Sequence, residues 1–370
     1  MMQPTIEQVT LDERTLQLTW SDGRQSTFHY FWLRDNCPQL RHASTNHRVV
    51  ETSTIPADVR PVVAEVNANG DLHLVWQHDH HESCFTPAWL RAYDYSNGVQ
   101  RTRYQPTLWD ATIGADLPRA SYPALISDNA IKRTYLAQFY AYGVGLLHDV
   151  PTVPGTVLEV AKHFGEVRST SWGTVFDVRT IPNANSVAYT NLPLVTHTDE
   201  AYRDPTPTIQ LQHFLQSDAQ GGASTLVDGF KLAADLRAQA PAKFQLLATT
   251  PLHFHFRDAS AELENEGPVI ERNVLGEVSG IRYSNHSVQP FLLPVDHMEA
   301  YYDAYRTFGA MRESEQYQLR IKLAAGDLYM VDNRRVLHGR TGFSSACARH
   351  LQSCYIERDE LISRLTVLSR

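Results

Sequence analysis

Short stretches in which hydrophobic and polar residues alternate fill most of the chain and predict β-strands. Near the N-terminus, the stretch LQLTWSDGRQSTFHYFWLRD predicts two strands joined by a hairpin turn at Ser21-Asp22-Gly23. A second hairpin is predicted around Asn69-Gly70, in VVAEVNANGDLHLVWQ. No helical period is obvious in this part of the chain. We therefore predict a small, β-rich domain over residues 1–105.

The first clear helical period lies in the segment NAIKRTYLAQFYAYG. Ser127-Asp128 offers an N-cap, and Gly143 provides a stop signal. Four apolar residues share one face of this helix: Ile131, Tyr135, Leu136 and Phe139. A strand, VGLLHDV, follows, and then a second helix, PGTVLEVAKHFG, which begins with a proline and ends with a glycine.

After Gly165 most segments are short and strand-like: SVAYT, TIQLQHFL, ASTLVDG, LHFHFRD, GDLYMVDN and RHLQSCYIE. Two longer helices are predicted among them, GFKLAADLRAQAPAKFQLLAT and VDHMEAYYDAYRTFGAMR. Many short strands with few helices favour a double-sheet barrel with helices packed outside it. We predict this second domain over residues 106–370.

Composition excludes several classes of protein. The 370 residues carry 33 Lys and Arg against 41 Asp and Glu, a net charge of −8 without any basic run, so nucleic acid is not an expected partner. No stretch approaches the roughly 20 apolar residues of a membrane span. The N-terminal residues lack the pattern of a signal peptide, so a cytoplasmic location is expected. Four cysteines do not make a disulfide scaffold.

The strongest chemical signal is His197-Thr198-Asp199 at the end of a predicted strand. Residues i and i+2 of a strand point the same way, so the imidazole and the carboxylate can bind one ion. With His338 they would form the two-histidine, one-carboxylate triad of non-haem Fe(II) oxygenases. Arg349 follows on the next predicted strand, where its guanidinium can bind a carboxylate with two hydrogen bonds. An ordinary ion pair with Asp or Glu is the alternative for this arginine.

These motifs together make the chain resemble the γ-butyrobetaine hydroxylase branch of the Fe(II)/2-oxoglutarate dioxygenases, which are relatives of the taurine dioxygenase group. The segments that carry the resemblance are FHYFWLRDNCP, NSVAYTNLPLVTHTDEAY, PTIQLQHFLQ, GGASTLVDGF, GDLYMVDNRRVLHGR and ARHLQSCYIERDELISRL. They follow the family's order and spacing over nearly the whole chain. The resemblance implies a mainly β fold with flanking helices, in which a double-stranded β-helix (jelly roll) follows the small N-terminal domain. It also implies Fe(II), 2-oxoglutarate and O₂ as cofactors, ascorbate as an activator, and a homodimer.

Carried over residue by residue, the resemblance implies that His197, Asp199 and His338 hold iron. Arg349 would bind the distal carboxylate of 2-oxoglutarate, Ser224 would contact the same cosubstrate, and Arg340 would support the site. Such an enzyme hydroxylates an aliphatic C–H while 2-oxoglutarate is converted to succinate and CO₂.

Members of this branch hold a trimethylammonium group among aromatic rings, because a quaternary cation cannot donate an N–H hydrogen bond. The matching positions are all aromatic here: Trp172, Phe176, Tyr189 and Tyr355. Taken singly, each is better explained as a residue of the core or of a strand face, whereas the four together favour an aromatic cage.

At the anionic end of the substrate, Ser186 and His286 stand where γ-butyrobetaine hydroxylases have an asparagine pair, and Asn285 remains beside the latter. Tyr202 and Arg203 can also reach this end, and a surface position is the alternative for both. The chain thus resembles both γ-butyrobetaine hydroxylase and 2-(trimethylammonio)ethylphosphonate dioxygenase. The substitutions slightly favour the phosphonate, since a protonated histidine would attract a more highly charged group. Another small amine or amino-acid derivative stays open as substrate, whereas a non-catalytic ligand-binding barrel is disfavoured because a buried triad without metal would be costly.

Many relatives carry a structural zinc in the N-terminal domain, bound by three cysteines and a histidine. Cys37 matches the first cysteine and His81 the histidine, but Gln39 occupies the second cysteine position and the third cysteine is absent. Cys37, His42, His81 and a neighbour such as His47 could form an improvised site. The other interpretation is that apolar strands alone stabilise this domain. Because two of the family's cysteine ligands are missing, zinc is a doubtful cofactor.

Overall fold

A computed structural model of the chain describes residues 4–97, 104–180, 189–217, 221–344 and 349–370. The chain divides into two compact units, Met1–Tyr104 and Gln105–Arg370. We propose that these units are separate domains. Among the described helices, none has the length and apolar character that crossing a membrane requires.

The N-terminal unit contains two three-stranded antiparallel sheets, each built from consecutive strands. Its strands are β1 Ile6–Leu11, β2 Thr15–Trp20, β3 Gln25–His29, β4 Pro61–Val66, β5 Leu72–Trp76 and β6 Glu82–Phe85. Alternate positions of β2 and β5 are buried, and they supply Trp20 and Trp76 to one hydrophobic core. Both predicted hairpins are confirmed.

Two short helices correct the prediction that this unit has no helix: α1 Tyr30–Asp35 and α2 Pro87–Ala92. Tyr30, Leu33 and Arg34 are buried in α1, which is the spacing of one helix face, so FHYFWLRD does not continue as a strand. Helix α2 has the start signals that the sequence analysis overlooked. Thr86 caps it by accepting a hydrogen bond from the Trp89 amide, and a proline follows the cap.

The second unit contains 14 described strands and seven helices. The strands are β7 Arg119–Ser121, β8 Val144–His148, β9 Phe176–Arg179, β10 Leu194–His197, β11 Ile209–Ser217, β12 Ser224–Asp228, β13 Leu252–Arg257, β14 Glu262–Gly267, β15 Ile270–Arg272, β16 Val278–Ile281, β17 Leu319–Ile321, β18 Leu328–Asp332, β19 Val336–Arg340 and β20 Arg349–Ile356. The helices are α3 Tyr122–Ser127, α4 Asn129–Tyr142, α5 Thr156–Ala161, α6 Gly229–Gln239, α7 Pro241–Thr249, α8 Val295–Glu313 and α9 Arg358–Leu368.

The strand order identifies the predicted jelly roll. One sheet has the order β7-β8-β18-β11-β20-β9 and the other has the order β10-β19-β12-β17. From β9 to β12, and again from β17 to β20, consecutive strands of these sheets alternate between them, which is the connectivity of a double-stranded β-helix. The fold prediction is therefore confirmed.

Side chains on the two faces of the larger sheet belong to different cores. Ile209 and Leu211 of β11 pack with α4, α5 and α9 on the outer face. Phe214 of β11 and Tyr329 of β18 belong to the core between the sheets. The alternation along β11 therefore separates outward apolar positions from inward positions, among which Gln210 and Gln212 are polar and buried.

Two predicted helices differ in detail from the structure. Asp128 and Gly143 cap α4 as expected. Ile131 is exposed, so the buried apolar face of α4 is narrower than predicted. The long helix predicted over GFKLAADLRAQAPAKFQLLAT is interrupted at Ala240, which has φ −145° and ψ 69°. The following residue is Pro241, and the residue before a proline avoids the helical region, so α6 ends and α7 begins there.

Candidate metal centre and substrate cavity

Three side chains from two distant parts of the sequence meet at one end of the jelly roll. His197 ends β10, Asp199 follows it, and His338 lies directly opposite His197 on β19. One ligand atom from each lies within 4.8 Å of the others, and this is the group of three potential metal ligands found in the described part of the chain. Pairing of β10 with β19 therefore supplies both imidazoles.

The donor atoms are oriented toward a common point. His197 Nδ1 lies 2.9 Å from the Val195 carbonyl and donates to it, which leaves Nε2 free to bind a metal. That Nε2 lies 3.0 Å from Asp199 Oδ1, and His338 Nε2 lies 3.5 Å from Asp199 Oδ2. Burial opposes ionisation of Asp199, yet the imidazoles of His338 and His197 hold the pKa of its carboxyl well below its ordinary value. Two imidazoles and an ionised carboxylate fit Fe(II).

Asn333, which the sequence analysis did not single out, holds the backbone of the carboxylate ligand. Its Oδ1 accepts the Asp199 amide N–H at 2.7 Å, and its Nδ2 donates to the Asp199 carbonyl at 3.0 Å. The same Nδ2 also donates to the Pro207 carbonyl. Asn333 lies in the turn between β18 and β19, so this turn fixes the backbone of the loop that carries Asp199. Nothing in the sequence pattern of this turn points to that contact.

A cavity of about 370 Å³ opens beside the triad, a volume suited to small molecules. Five of the aromatic residues that line it were expected from the sequence: Trp172, Phe176, Tyr189, Tyr202 and Tyr355. Phe256 and Tyr329 also line it and were not expected. The Phe256 ring lies 5.1 Å from that of Trp172 and 5.0 Å from that of Tyr202. Phe256 belongs to the predicted strand LHFHFRD, to which the sequence analysis assigned no function, and strand alternation places Phe256 on the same face as Phe254.

Two guanidinium groups lie at the same cavity. Arg349 carries its Cζ 5.4 Å from the Phe214 ring centre and 5.6 Å from that of Phe343, and burial lowers the pKa of its side chain. No carboxylate within the described ranges forms an ion pair with Arg349, which argues against the alternative that this arginine only pairs with an Asp or Glu. Burial and the neighbouring Arg349 lower the pKa of Arg340 to about 10, and Arg340 donates to the Thr190 carbonyl.

The structure does not bring every expected residue to the cavity. Ser224 of β12 is buried and pairs with Arg340 of β19, but it does not line the cavity. Asn285 is also absent from it, because its Oδ1 accepts a hydrogen bond from Tyr305 at 2.6 Å on α8. His286 does line the cavity. Ser186 lies outside the described residues.

Arg203 does not reach the cavity either, since it pairs with Glu200 and donates to Ser171 Oγ at 2.5 Å. Glu200 does line the cavity, which the sequence analysis missed. Burial raises the pKa of this carboxyl despite the pairing with Arg203.

The N-terminal unit does not fit a tetrahedral zinc ion. Cys37 Sγ lies 3.2 Å from His81 Nε2, but Gln39 Oε1, 3.2 Å from the same sulfur, takes the place of another thiolate. Ser83 Oγ donates to the sulfur at 3.0 Å. His42 lies with Ser44 and Thr45, where its Nδ1 contacts both hydroxyls, so the improvised zinc site is not formed. Among the described residues of this unit, Cys37 and His81 are the two matched zinc ligands that contact each other, and a tetrahedral site requires four.

Comparison with known proteins identifies the family. Residues 101–355 match the model of the taurine catabolism dioxygenase TauD, TfdA family. The chain belongs to this family. Residues 8–91 match a second model, gamma-butyrobetaine hydroxylase-like, N-terminal. The TauD, TfdA family relationship and the donor set confirm the prediction of an Fe(II)- and 2-oxoglutarate-dependent oxygenase.

Similar proteins cover both units of this TauD, TfdA family member. A gamma-butyrobetaine dioxygenase of Pseudomonas sp. (strain AK-1) is 39% identical over 96% of this chain and 94% of its own length. The mitochondrial trimethyllysine dioxygenase of Gallus gallus is 30% identical over 95% of this chain and 86% of its own. The gamma-butyrobetaine dioxygenase of Homo sapiens is 28% identical over 95% and 94%, respectively.

Proposed function

We propose that this protein hydroxylates a small trimethylammonium carboxylate of the γ-butyrobetaine type. The observation that carries the proposal is the aromatic lining of the cavity beside the metal triad. The similarity to gamma-butyrobetaine dioxygenases over nearly the full length of both chains supports the same substrate class.

Ring faces attract a quaternary ammonium group because the group offers methyl surfaces with positive charge and no hydrogen to donate. Phe176 and Tyr355 form one wall, with ring centres 5.4 Å apart. Trp172 and Phe256 form a second wall, with their rings edge to face. A quaternary ammonium group has no N–H, so its binding does not need a carboxylate or another hydrogen-bond acceptor. Each well-placed ring contributes about 0.5–2 kcal/mol to binding.

A carboxylate suits the other end of the substrate better than a phosphonate does. Preference for a phosphonate depends on a protonated His286. Partial burial and the nearby His197 lower the pKa of His286, which removes that reason. None of the three relatives described above is named for a phosphonate. We therefore favour the carboxylate and keep the phosphonate as one arm of the test.

His197, Asp199 and His338 would hold the iron, and Arg349 would bind the distal carboxylate of 2-oxoglutarate. Bound iron, 2-oxoglutarate and O₂ together supply the oxidation of an aliphatic C–H, with release of succinate and CO₂. The aromatic walls orient the substrate so that one C–H faces the metal, and they exclude water from the reaction.

The test is succinate release and product mass with Fe(II), 2-oxoglutarate and ascorbate under air. γ-Butyrobetaine, 2-(trimethylammonio)ethylphosphonate and trimethyllysine are compared as substrates with the tert-butyl analogue of γ-butyrobetaine, which keeps the carboxylate and lacks the positive charge. We expect γ-butyrobetaine to gain one oxygen atom with the highest kcat/KM and the tert-butyl analogue to lose at least about tenfold. Hydroxylation of the phosphonate alone, or equal use of the tert-butyl analogue, would refute the proposal.

Two variants of one aromatic residue test the ring contact. Tyr189→Ala is expected to raise KM for γ-butyrobetaine by about tenfold or more, because a ring face is lost. Tyr189→Phe keeps the ring and serves as the matched control, with little change. KM for 2-oxoglutarate stays the same in both variants. Equal losses for the two compounds in Tyr189→Ala would contradict an aromatic site for the cation.

A further inference from the structure

The two oxygens of the Asp199 carboxylate have different surroundings. Oδ1 faces His197 Nε2 at 3.0 Å, in the direction of the metal centre. Oδ2 lies 3.5 Å from His338 Nε2 and also accepts two hydrogen bonds from outside the triad, from Gln210 Nε2 at 2.5 Å and from the Tyr355 hydroxyl at 2.8 Å. Because an ionised carboxylate only accepts, both groups must donate to it. Each carboxylate oxygen thus faces one imidazole of the triad, and two donors from outside the triad hold the carboxylate through Oδ2.

Strand register places both donors at this oxygen. Gln210 of β11 and Tyr355 of β20 are direct partners in an antiparallel pair, so their side chains leave the same face of the sheet. Both residues are 2% exposed. An unsatisfied amide or hydroxyl would be costly at such a position, and the carboxylate removes that cost for both.

A third side chain orients the amide of Gln210. Gln212 Nε2 donates to Gln210 Oε1 at 2.9 Å, which directs the amide oxygen away from Asp199 and its NH₂ group toward it. Gln212 lies opposite Tyr329 on β18. Two consecutive hydrogen bonds between buried or partly buried side chains, from Gln212 to Gln210 and from Gln210 to Asp199, therefore fix the donor.

We propose that Gln210 and Tyr355 are positioning residues for the iron ligand Asp199. Tyr355 then has two separable functions, since its hydroxyl holds the carboxylate while its ring lines the cavity next to Phe176. The function of the ring rests on the substrate proposed above, whereas the function of the hydroxyl does not. Groups that hydrogen-bond to metal ligands typically change metal affinity by about 10- to 100-fold when they are removed.

Metal binding by the full-length, metal-free protein tests the proposal, with Mn(II) as the probe and its free electron paramagnetic resonance signal as the readout. Tyr355→Phe removes the hydroxyl and keeps the ring, and Gln210→Met keeps length without a donor. We expect Kd for Mn(II) to rise about tenfold in each variant and about 100-fold in the double variant. Phe176→Leu is the matched control, because it alters the same cavity wall without touching Asp199 and leaves Kd for Mn(II) unchanged.

The substrate assay then separates the two functions of Tyr355. Tyr355→Phe keeps KM for γ-butyrobetaine within about twofold, whereas Phe176→Leu raises it, because ring faces bind the cation. Unchanged thermal unfolding of the metal-free variants excludes a general loss of folding. A double variant that folds and binds Mn(II) as tightly as the parent protein overturns the positioning inference. Failure of the parent protein to hydroxylate γ-butyrobetaine would overturn the substrate proposal alone, since Mn(II) binding is measured without substrate.

Discussion

Replacing Arg349 with methionine is expected to weaken binding of 2-oxoglutarate selectively. The side chain is 9% exposed, and the rings of Phe214 and Phe343 lie beside its guanidinium, so water does not screen its charge. Methionine fills similar space without a donor or a charge. The distal carboxylate of the cosubstrate would then be buried without its counter-ion.

Burial of the Arg349 charge determines how much binding of 2-oxoglutarate is weakened. Removing one partner of a buried, hydrogen-bonded charge pair costs about 2–5 kcal/mol. Since about 1.4 kcal/mol corresponds to tenfold in a binding constant, KM for 2-oxoglutarate is expected to rise by about 30-fold to a few thousandfold. Arg349→Lys keeps the charge but loses the two-pronged geometry, so its loss is intermediate.

The assay is succinate or CO₂ release over a range of 2-oxoglutarate concentrations, repeated with 2-oxobutyrate, which lacks the distal carboxylate. The parent protein is expected to prefer 2-oxoglutarate strongly, and Arg349→Met is expected to lose most of that preference. Mn(II) affinity serves as the control, because Arg349 does not contact the triad. If an active Arg349→Met protein kept both its KM for 2-oxoglutarate and its preference, the assignment of this arginine would be wrong.

Three further outcomes are expected. Asn333→Ala should weaken Mn(II) binding about tenfold or more, since the backbone of Asp199 loses two hydrogen bonds; unchanged Mn(II) titrations would contradict this. Burial lowers the pKa of His213 to about 4 from 6.5, so the unfolded chain takes up the proton first and the free energy of unfolding falls by about 2 kcal/mol from pH 7.5 to pH 5. Denaturant unfolding of His213→Leu should lack that portion of the pH dependence, and an identical slope would exclude it. Elemental analysis of the purified protein should find less than about a tenth of an equivalent of zinc, because Cys37 and His81 supply two of four ligands. A full equivalent of zinc, whose removal by a chelator unfolds the N-terminal unit, would contradict this prediction.

Local signals in the sequence were sufficient for much of the fold. Asp128 and Gly143 bound α4 because a cap and a left-handed glycine act within a few residues of the helix end. Asn69-Gly70 formed the predicted turn for the same reason. Helix α1 was missed because its six residues make fewer than two turns, which is too short for a helical period to be recognised. The break at Pro241 was readable from the proline itself and was overlooked.

The sequence by itself determined the chemical types at the metal centre, because His197 and Asp199 are two residues apart and their common direction follows from the strand period. It also determined that the cavity residues Trp172, Phe176 and Tyr355 are aromatic. Only the tertiary structure decided which groups hold those residues in place. Gln210 reaches Asp199 beside Tyr355 through the register of β11 with β20, and Asn333 reaches the same loop from the turn after β18. Register between strands that are distant in sequence depends on packing across the whole barrel, and no local pattern of residues encodes it.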